Sequence, residues 1–375
     1  MRREFWKNFD FWLFGDVVIL CVFGIVMIRS ALAGNLEVSL DSQIQYVIIG
    51  LFLILGLTLF DYHYLDSLAM PAYWGMILLL LVLRFVGEAT FGSARWLQIG
   101  PISLQPSEFG KIVLIINLAK YFSDHAHERK GLYWVGMSFL LTFGIVLFVL
   151  LQPNMSTSIV MMVLWFAMLW VSEIPMRLLA ILGVIALVVL IGAGVWLLVS
   201  PDTIPFIQGY QLDRINNFIA PDTDARYGEN YNVEQAIISL GSGRLFGQGY
   251  GNGTQVQLRF LKVRHTDFIF SALGQEFGFV GTISVILLLM FLVLRCLRAA
   301  RMATEMFGAL ICYGVATLFF FQMAVNMGVN LQIMPVTGLT LPFISYGGSS
   351  TLALAVSIGL VESVAVRQEK YEEVV

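Results

Sequence analysis

Apolar runs long enough to cross a bilayer recur ten times along the chain, starting near Phe11, Ile44, Leu65, Ser107, Tyr133, Met155, Leu178, Asp267, Met306 and Tyr346. Each covers about 17 to 25 residues, the length a helix needs to span a hydrocarbon core of about 30 Å. Polar residues erode the ends of the second, sixth and tenth runs. The pattern predicts an all-α polytopic membrane protein, one membrane domain over residues 1–375 with a large outer loop at 200–266. The first run follows MRREFWK, and Ala31-Leu32-Ala33 offers a cleavage-like tripeptide. At near twenty residues it is longer than a signal-peptide core, so it is expected to remain as the first span.

Basic residues set the orientation. Arg2, Arg3 and Lys7, then Arg129 and Lys130, Arg177, Arg295, Arg298 and Arg301, and finally Arg367 and Lys370 fall on one side when connections alternate. That side is read as the cytoplasm, with both termini inside and Asp267 outside. Arg29, Arg84 and Arg95 oppose this count, as do the basic residues of 200–266, a connection long enough to escape the rule. A composition of 58% hydrophobic and 13% charged residues, with mean hydropathy +0.81, excludes a soluble domain. The net charge of -3 gives no support to nucleic-acid binding. Cys21, Cys296 and Cys312 lie in or beside apolar runs, match no metal-ligand spacing and are read as free thiols.

Within the outer segment, Asn232 reads as an N-cap with Gln235 three residues on, and Val233, Ala236, Ile237 and Leu240 have the spacing of a short amphipathic helix. It would lie on the membrane surface or across the mouth of the bundle. The following GSGRLFGQGYGNGTQ is glycine-rich, suited to close approach to a ligand or to tight turns. No strand precedes it, which removes a dinucleotide-binding reading. Asp222-Thr223-Asp224 resembles the metal-binding acid pair of nucleotide-sugar transferases, and equally common turn chemistry. His63, His125, His127 and His265 form no metal-ligand grouping. No internal repeat of the transporter kind is visible.

Three stretches carry candidate chemistry. Asp267 opens RHTDFIFSALGQEFGFVG at the membrane boundary; it is either a functional carboxylate or a partner of the helix dipole. Glu276, nine residues on, is roughly 13.5 Å away along a helix axis and turned by about 180°. The two therefore cannot form a retaining-type carboxylate dyad, which needs about 5 Å. In FGSARWLQIGPISLQPSEFGK, Pro106 and Ser107 mark a helix start, and Glu108 and Lys111 follow at i, i+3. Ionisable groups at that depth are functional candidates, or else a structural salt bridge. Arg95 and Trp96 before them suit an interfacial anchor or an anion contact. In NMGVNLQIMPVTGLTLPFISYGGSS, helix breakers in an apolar context suggest a re-entrant or cavity-lining segment, with an ordinary outer loop as the plain alternative.

Together, ARWLQIGPISLQPSEFGK, GSGRLFGQGYGNGTQVQLRFLKVRHTDFIFSALGQEFGFVG and MPVTGLTLPFISYGGSS resemble the SEDS family (shape, elongation, division and sporulation), its RodA branch more than its FtsW branch. The likeness spans nearly the whole chain. It implies a ten-span peptidoglycan glycosyltransferase that polymerises lipid II into glycan strands for elongation and cell shape. The reaction would occur on the outer face of the inner (cytoplasmic) membrane, beside a class B penicillin-binding protein. The resemblance makes Asp267 the catalytic residue and puts Glu108 and Lys111 in the functional cavity. The family commonly has QPDLGT where this chain has Gln152-Pro153-Asn154-Met155-Ser156-Thr157, so Asn154 stands in place of an acid.

The residue chemistry fits that reaction. A pyrophosphate-linked sugar brings its own leaving group, so one base for the acceptor hydroxyl and cations for the departing charge suffice. Arg95, Lys111, Arg244, Arg259, Lys262 and Arg264 are the candidate pyrophosphate contacts, and a divalent cation could share the task. Two other classes stay open at this point. A lipid II flippase would line a path through the bilayer with its ionisable residues, and a scaffold for the penicillin-binding protein would not need Asp267.

Overall fold

In a computed structural model the described residues are 6–32, 39–86, 88–90, 93–99, 102–127, 131–152, 154–199, 214, 218 and 229–368. Ten long helices stand at the ten expected positions: α1 Phe11–Leu32, α2 Leu40–Leu59, α3 Tyr64–Val86, α4 Pro106–Asp124, α5 Leu132–Leu151, α6 Met155–Val171, α7 Met176–Val199, α10 Ile269–Met302, α11 Met306–Asn330 and α12 Gly348–Val366. Among the described residues seven are long and apolar enough to cross a membrane unaided. The chain is a multi-pass membrane protein. Helix α4 falls outside the seven with Glu108, Lys111, Lys120 and Asp124 along it, and α6 has only 17 residues.

Helices α4, α11 and α12 form the interior, with α12 buried almost all round. Lipid tails are as apolar as leucine, so such helices are held by close packing and hydrogen bonds rather than by exclusion from water. The most extensive helix contact is that of α12 on α2. A Cβ at Gly348 would come within 2.3 Å of the Tyr46 ring, and one at Gly359 within 2.8 Å of Leu57. The outer helices turn large apolar side chains outward, among them Ile19, Phe52, Trp74, Leu140 and Val188, where acyl chains cover them.

Helix α10 is broken at Gly278, whose φ of 67° and ψ of -162° leave the helical region. The break frees backbone groups at membrane depth, where each must find a protein partner. The glycine-rich turn supplies them. Gln248 and Gly249 N–H donate to the Gln275 and Glu276 carbonyls at 2.9 and 3.0 Å, while Phe279 and Val280 N–H donate to Arg244 and Leu245 at 2.8 and 3.1 Å. That contact needs bare backbone on both sides, since a Cβ at Gly247 would lie 2.1 Å from the Glu276 oxygen and one at Gly278 would lie 2.3 Å from the Gly247 nitrogen. The glycines at 243–249 therefore approach another stretch of backbone rather than a ligand.

Two local differences from expectation bear on the site. Residues leading into α4 form a small antiparallel sheet, β1 Glu88–Thr90, β2 Ser93–Ile99 and β3 Ile102–Leu104, with Leu97 opposite Leu104 and Ile99 opposite Ile102. Its strands are too short for alternation to announce them. The amphipathic helix is present as α8 Glu229–Ser242, but it starts before Asn232, which is a fourth-position residue rather than the cap. Ala236 and Ser239 are fully buried, and α8 packs on the broken helix α10. A four-residue helix, α9 Thr254–Gln257, leads from the glycine turn back toward α10. The Asp222-Thr223-Asp224 turn and most of 200–228 lie outside the described residues.

Candidate active site

Helices α4, α6, α10 and α12 all begin at one end of the bundle, where α11 ends. Between them lies a cavity of about 500 Å³. Its wall takes Gln105 and Glu108 from α4, Asn154 to Thr157 from α6, Thr266 and Asp267 from the turn before α10, and Gly347, Ser349 and Ser350 from α12. Pro335 to Thr340 close another side, so the segment rich in helix breakers is cavity-lining. Helix N-termini present unpaired N–H groups and partial positive charge, a setting for anions. At α4 and α12 the capping residues Gln105 and Gly347 place no side-chain acceptor on the first-turn N–H groups.

Asp267 is partly exposed at this wall, on a segment pinned from three directions. Its backbone carbonyl accepts from the Asn326 and Asn330 side-chain amides of α11, at 3.1 and 2.9 Å. The carbonyl of Thr266 accepts from Ser345 Oγ at 2.7 Å, and that of His265 from the Tyr346 N–H at 2.8 Å. Asn330 also caps α10 in trans, its Oδ1 accepting from the Ser271 N–H at 3.0 Å. Gly338, at φ 74°, lies alongside, where an added Cβ would be in ordinary contact with Asp267 Oδ2 at 3.9 Å. Burial, then the neighbouring Arg264 charge, holds the His265 imidazole below its ordinary pKa.

Glu108 and Lys111 pair as their spacing requires, with Nζ 2.8 Å from Oε2. Lys111 is 1% exposed and stands behind Glu108, and of the two only Glu108 reaches the cavity wall. Glu276 is buried elsewhere, accepting from Ser30 Oγ. Asn154 caps α6, accepting from the Thr157 N–H at 3.3 Å and donating to Ser107 Oγ at 3.3 Å.

The cationic candidates divide. Arg264 is buried and donates to the carbonyls of Ala31, Leu32 and Leu261, which makes it a strut between α1 and the turn before α10 rather than a cavity residue. Arg244, Arg259 and Lys262 are exposed and line no part of the cavity wall. Arg95 belongs to β2, and its side chain lies outside the described residues. Among the described residues the cation that does line the cavity is Arg214, of the 200–266 segment, which nothing in its local sequence distinguished. Asn326 and Asn330 were legible in principle: two amides at i, i+4 inside an apolar span are costly unless they bond to something. Among the described residues no three His, Cys, Asp or Glu side chains are placed to hold a metal, so a ligand set for a divalent ion is not found among them.

The chain is similar throughout to proteins already known. A family model described as cell cycle protein, for FtsW, RodA and SpoVE, matches residues 11–370. A protein of Hydrogenovibrio crunogenus named probable peptidoglycan glycosyltransferase FtsW is 34% identical over 368 residues, 94% of this chain and 90% of its own length. One of the same name from Geobacter sp. strain M18 is 32% identical, covering 98% and 99%. Among solved structures, a chain reported for coordination of polymerization and crosslinking by a peptidoglycan synthase complex superposes with a TM-score of 0.81 at 30% identity, covering 96% of this chain and 99% of that one. The rod shape determining protein RodA of Thermus thermophilus gives 0.69 at 30% identity, covering 95% and 96%. On this likeness from end to end, the chain belongs to the FtsW/RodA/SpoVE family, and it is an enzyme of the glycosyltransferase class.

Proposed function

We propose that the chain polymerises lipid II into glycan strands, with Asp267 as general base. The observation that carries this reading is convergence: Asp267, Glu108 and the 335–350 segment, far apart in sequence, share one cavity ringed by four helix N-termini. The acceptor sugar hydroxyl gives its proton to Asp267, its oxygen bonds to the anomeric carbon of the donor, and the bond from that carbon to the lipid pyrophosphate breaks. The pyrophosphate leaves with the bonding pair. Helix N-termini and Arg214 then meet the charge that develops on it. Glu108, held by Lys111, offers an acceptor for sugar hydroxyls or N–H groups.

Basic residues counted along the chain support a cavity facing outward from the inner membrane, with both termini in the cytoplasm. Arg214 and Thr266, both of the 200–266 segment, then lie on the outward side of the cavity wall. The likeness to a chain of a peptidoglycan synthase complex supports a class B penicillin-binding protein as partner. The likeness to the Thermus thermophilus RodA supports an elongation role, while the curated relatives carry the FtsW name.

Asp267→Asn tests the reading, because it keeps size and polarity but cannot take the proton. Purified variant and wild type, each with the partner, are compared for glycan formation from lipid II. The variant is expected to fold, to bind the partner and to lose about 10² or more in rate. Equal rates would leave the enzyme class standing but remove Asp267 as base; no polymer from wild type would favour the flippase. In cells, an elongation enzyme carrying this change yields round cells rather than filaments.

A further inference from the structure

A second cavity, of about 390 Å³, lies at the other end of the bundle. It is lined by Lys7 and Asn8 from a helical turn at 6–8, Trp12 from α1, Arg295 and Arg298 from the end of α10, and Gln368 after α12. From Phe279 to Met302, α10 runs about 35 Å, so this cavity opens at the membrane face opposite Asp267. Side-chain amides tie its parts together. Asn8 donates to the Gln368 carbonyl at 3.1 Å, and Gln368 donates to the Ala299 carbonyl at 3.2 Å.

The charges inside are not balanced. Arg295 is neutralised by Asp10, its Nε 2.8 Å from Oδ2. Among the described residues Lys7 and Arg298 have no ion-pair partner, and both are exposed. Trp12 is 72% exposed at the rim, with the amphipathic ring that sits well at the headgroup level of a bilayer, and Phe11 beside it is exposed as an apolar contact for acyl chains. A cavity with two cations that have no ion-pair partner among the described residues, and an aromatic rim at a membrane face, suits a phosphodiester headgroup whose acyl chains lie along the outer surface of the helices.

We infer that this cavity binds the headgroup of an anionic phospholipid, held by Lys7 and Arg298. The site does not depend on the proposed glycosyl transfer; only the identity of the leaflet, cytoplasmic here, rests on the proposed orientation. Arg301, exposed one turn further along α10, lies outside the cavity lining and separates a built site from diffuse surface charge.

The test titrates the detergent-purified full chain with short-chain phosphatidylglycerol and reads bound lipid by native mass spectrometry. Lys7→Gln and Arg298→Gln are each expected to weaken binding about 5-fold, and the pair about 25-fold, from the attraction usual for one basic residue near an anionic headgroup. Arg301→Gln should change it little, and phosphatidylcholine should bind no better to wild type than to the double variant. Millimolar inorganic phosphate should not displace the lipid. Equal loss with Arg301→Gln, unchanged binding by the double variant, or displacement by phosphate would each overturn the site. So would lipid binding that appears only after deletion of residues 369–375, which would assign the cations to the glutamates of that tail instead.

Discussion

Both ends of the bundle bury acids beside bases, yet the two arrangements differ in what they leave open. At the Asp267 end, Glu108 shares its wall with about 500 Å³ of space, and Lys111 is locked behind it. At the far end, Asp10 is engaged by Arg295, and its own N–H donates to Glu362 Oε2 at 3.1 Å. Glu362 is fully buried and lines neither cavity. An acid at a cavity wall, as Glu108 is, can exchange protein contacts for substrate contacts, whereas one enclosed by packing, as Glu362 is, can only hold helices together. Burial of charge alone does not tell these apart; adjacent open volume does.

Removing one partner at each end exposes the difference. Lys111→Met strands a buried carboxylate and is expected to cost about 3–5 kcal/mol, with activity lost. The double variant Glu108→Gln/Lys111→Met should regain most of that stability, read as thermal midpoint in detergent, without regaining polymerisation. Full activity in the double variant would take both residues out of the site. Glu362→Gln at the other end keeps an acceptor for the Asp10 N–H. It should cost about 1 kcal/mol or less and leave activity per folded molecule unchanged.

The broken helix sharpens the same contrast, because its stem carries Asp267. Gly278→Ala forces a side chain into positive φ and against the 245–247 backbone, so a loss of at least about 1–3 kcal/mol is expected. Activity should fall with it, since the first half of α10 is aligned through that contact. Gly56→Ala, where a Cβ meets nothing within 4 Å, is the control that should be silent.

Asn330→Ala removes one of the two amides on the Asp267 carbonyl and the trans cap on Ser271. A positioning role predicts kcat down by about 10-fold with KM nearly unchanged, a fraction of what the base itself supplies. A purely structural role predicts lower yield at normal kcat, which would overturn the positioning.

The smallest effect concerns His265. Its folded pKa lies below the unfolded value of about 6.5, through burial and the nearby Arg264, so the unfolded chain binds the proton more readily. The contribution to stability is complete above that unfolded value and declines as pH falls through it toward the folded pKa. Thermal midpoints of wild type should therefore drop below about pH 6.5 more than those of His265→Gln. Parallel curves would show that His265 does not carry the dependence.

Much of the architecture was written in hydropathy. The ten apolar runs stand as ten helices because a bilayer demands that each crossing satisfy its own backbone, and only a continuous apolar helix of about twenty residues does so. The Glu108 to Lys111 contact followed from i, i+3 spacing, and the run of breakers at 335–347 from the rule that open backbone needs a cavity or a protein wall. Short β1 to β3 escaped because strands of three to seven residues leave no periodicity to read. Arg264 misled because a cation beside an acid looks the same in sequence whether its guanidinium faces a cavity or three backbone carbonyls.

What only the tertiary structure decided is which distant residues meet. Asn326 and Asn330 grip a carbonyl some sixty residues away, Arg214 reaches the cavity from the 200–266 segment, and the glycines of 243–249 close on the break at Gly278. Sequence pattern reports what each helix needs locally: length, an apolar surface, a cap. The choice of partner is made by packing among ten such helices, where small residues set how close two backbones come and a buried polar group accepts only the neighbour that satisfies it.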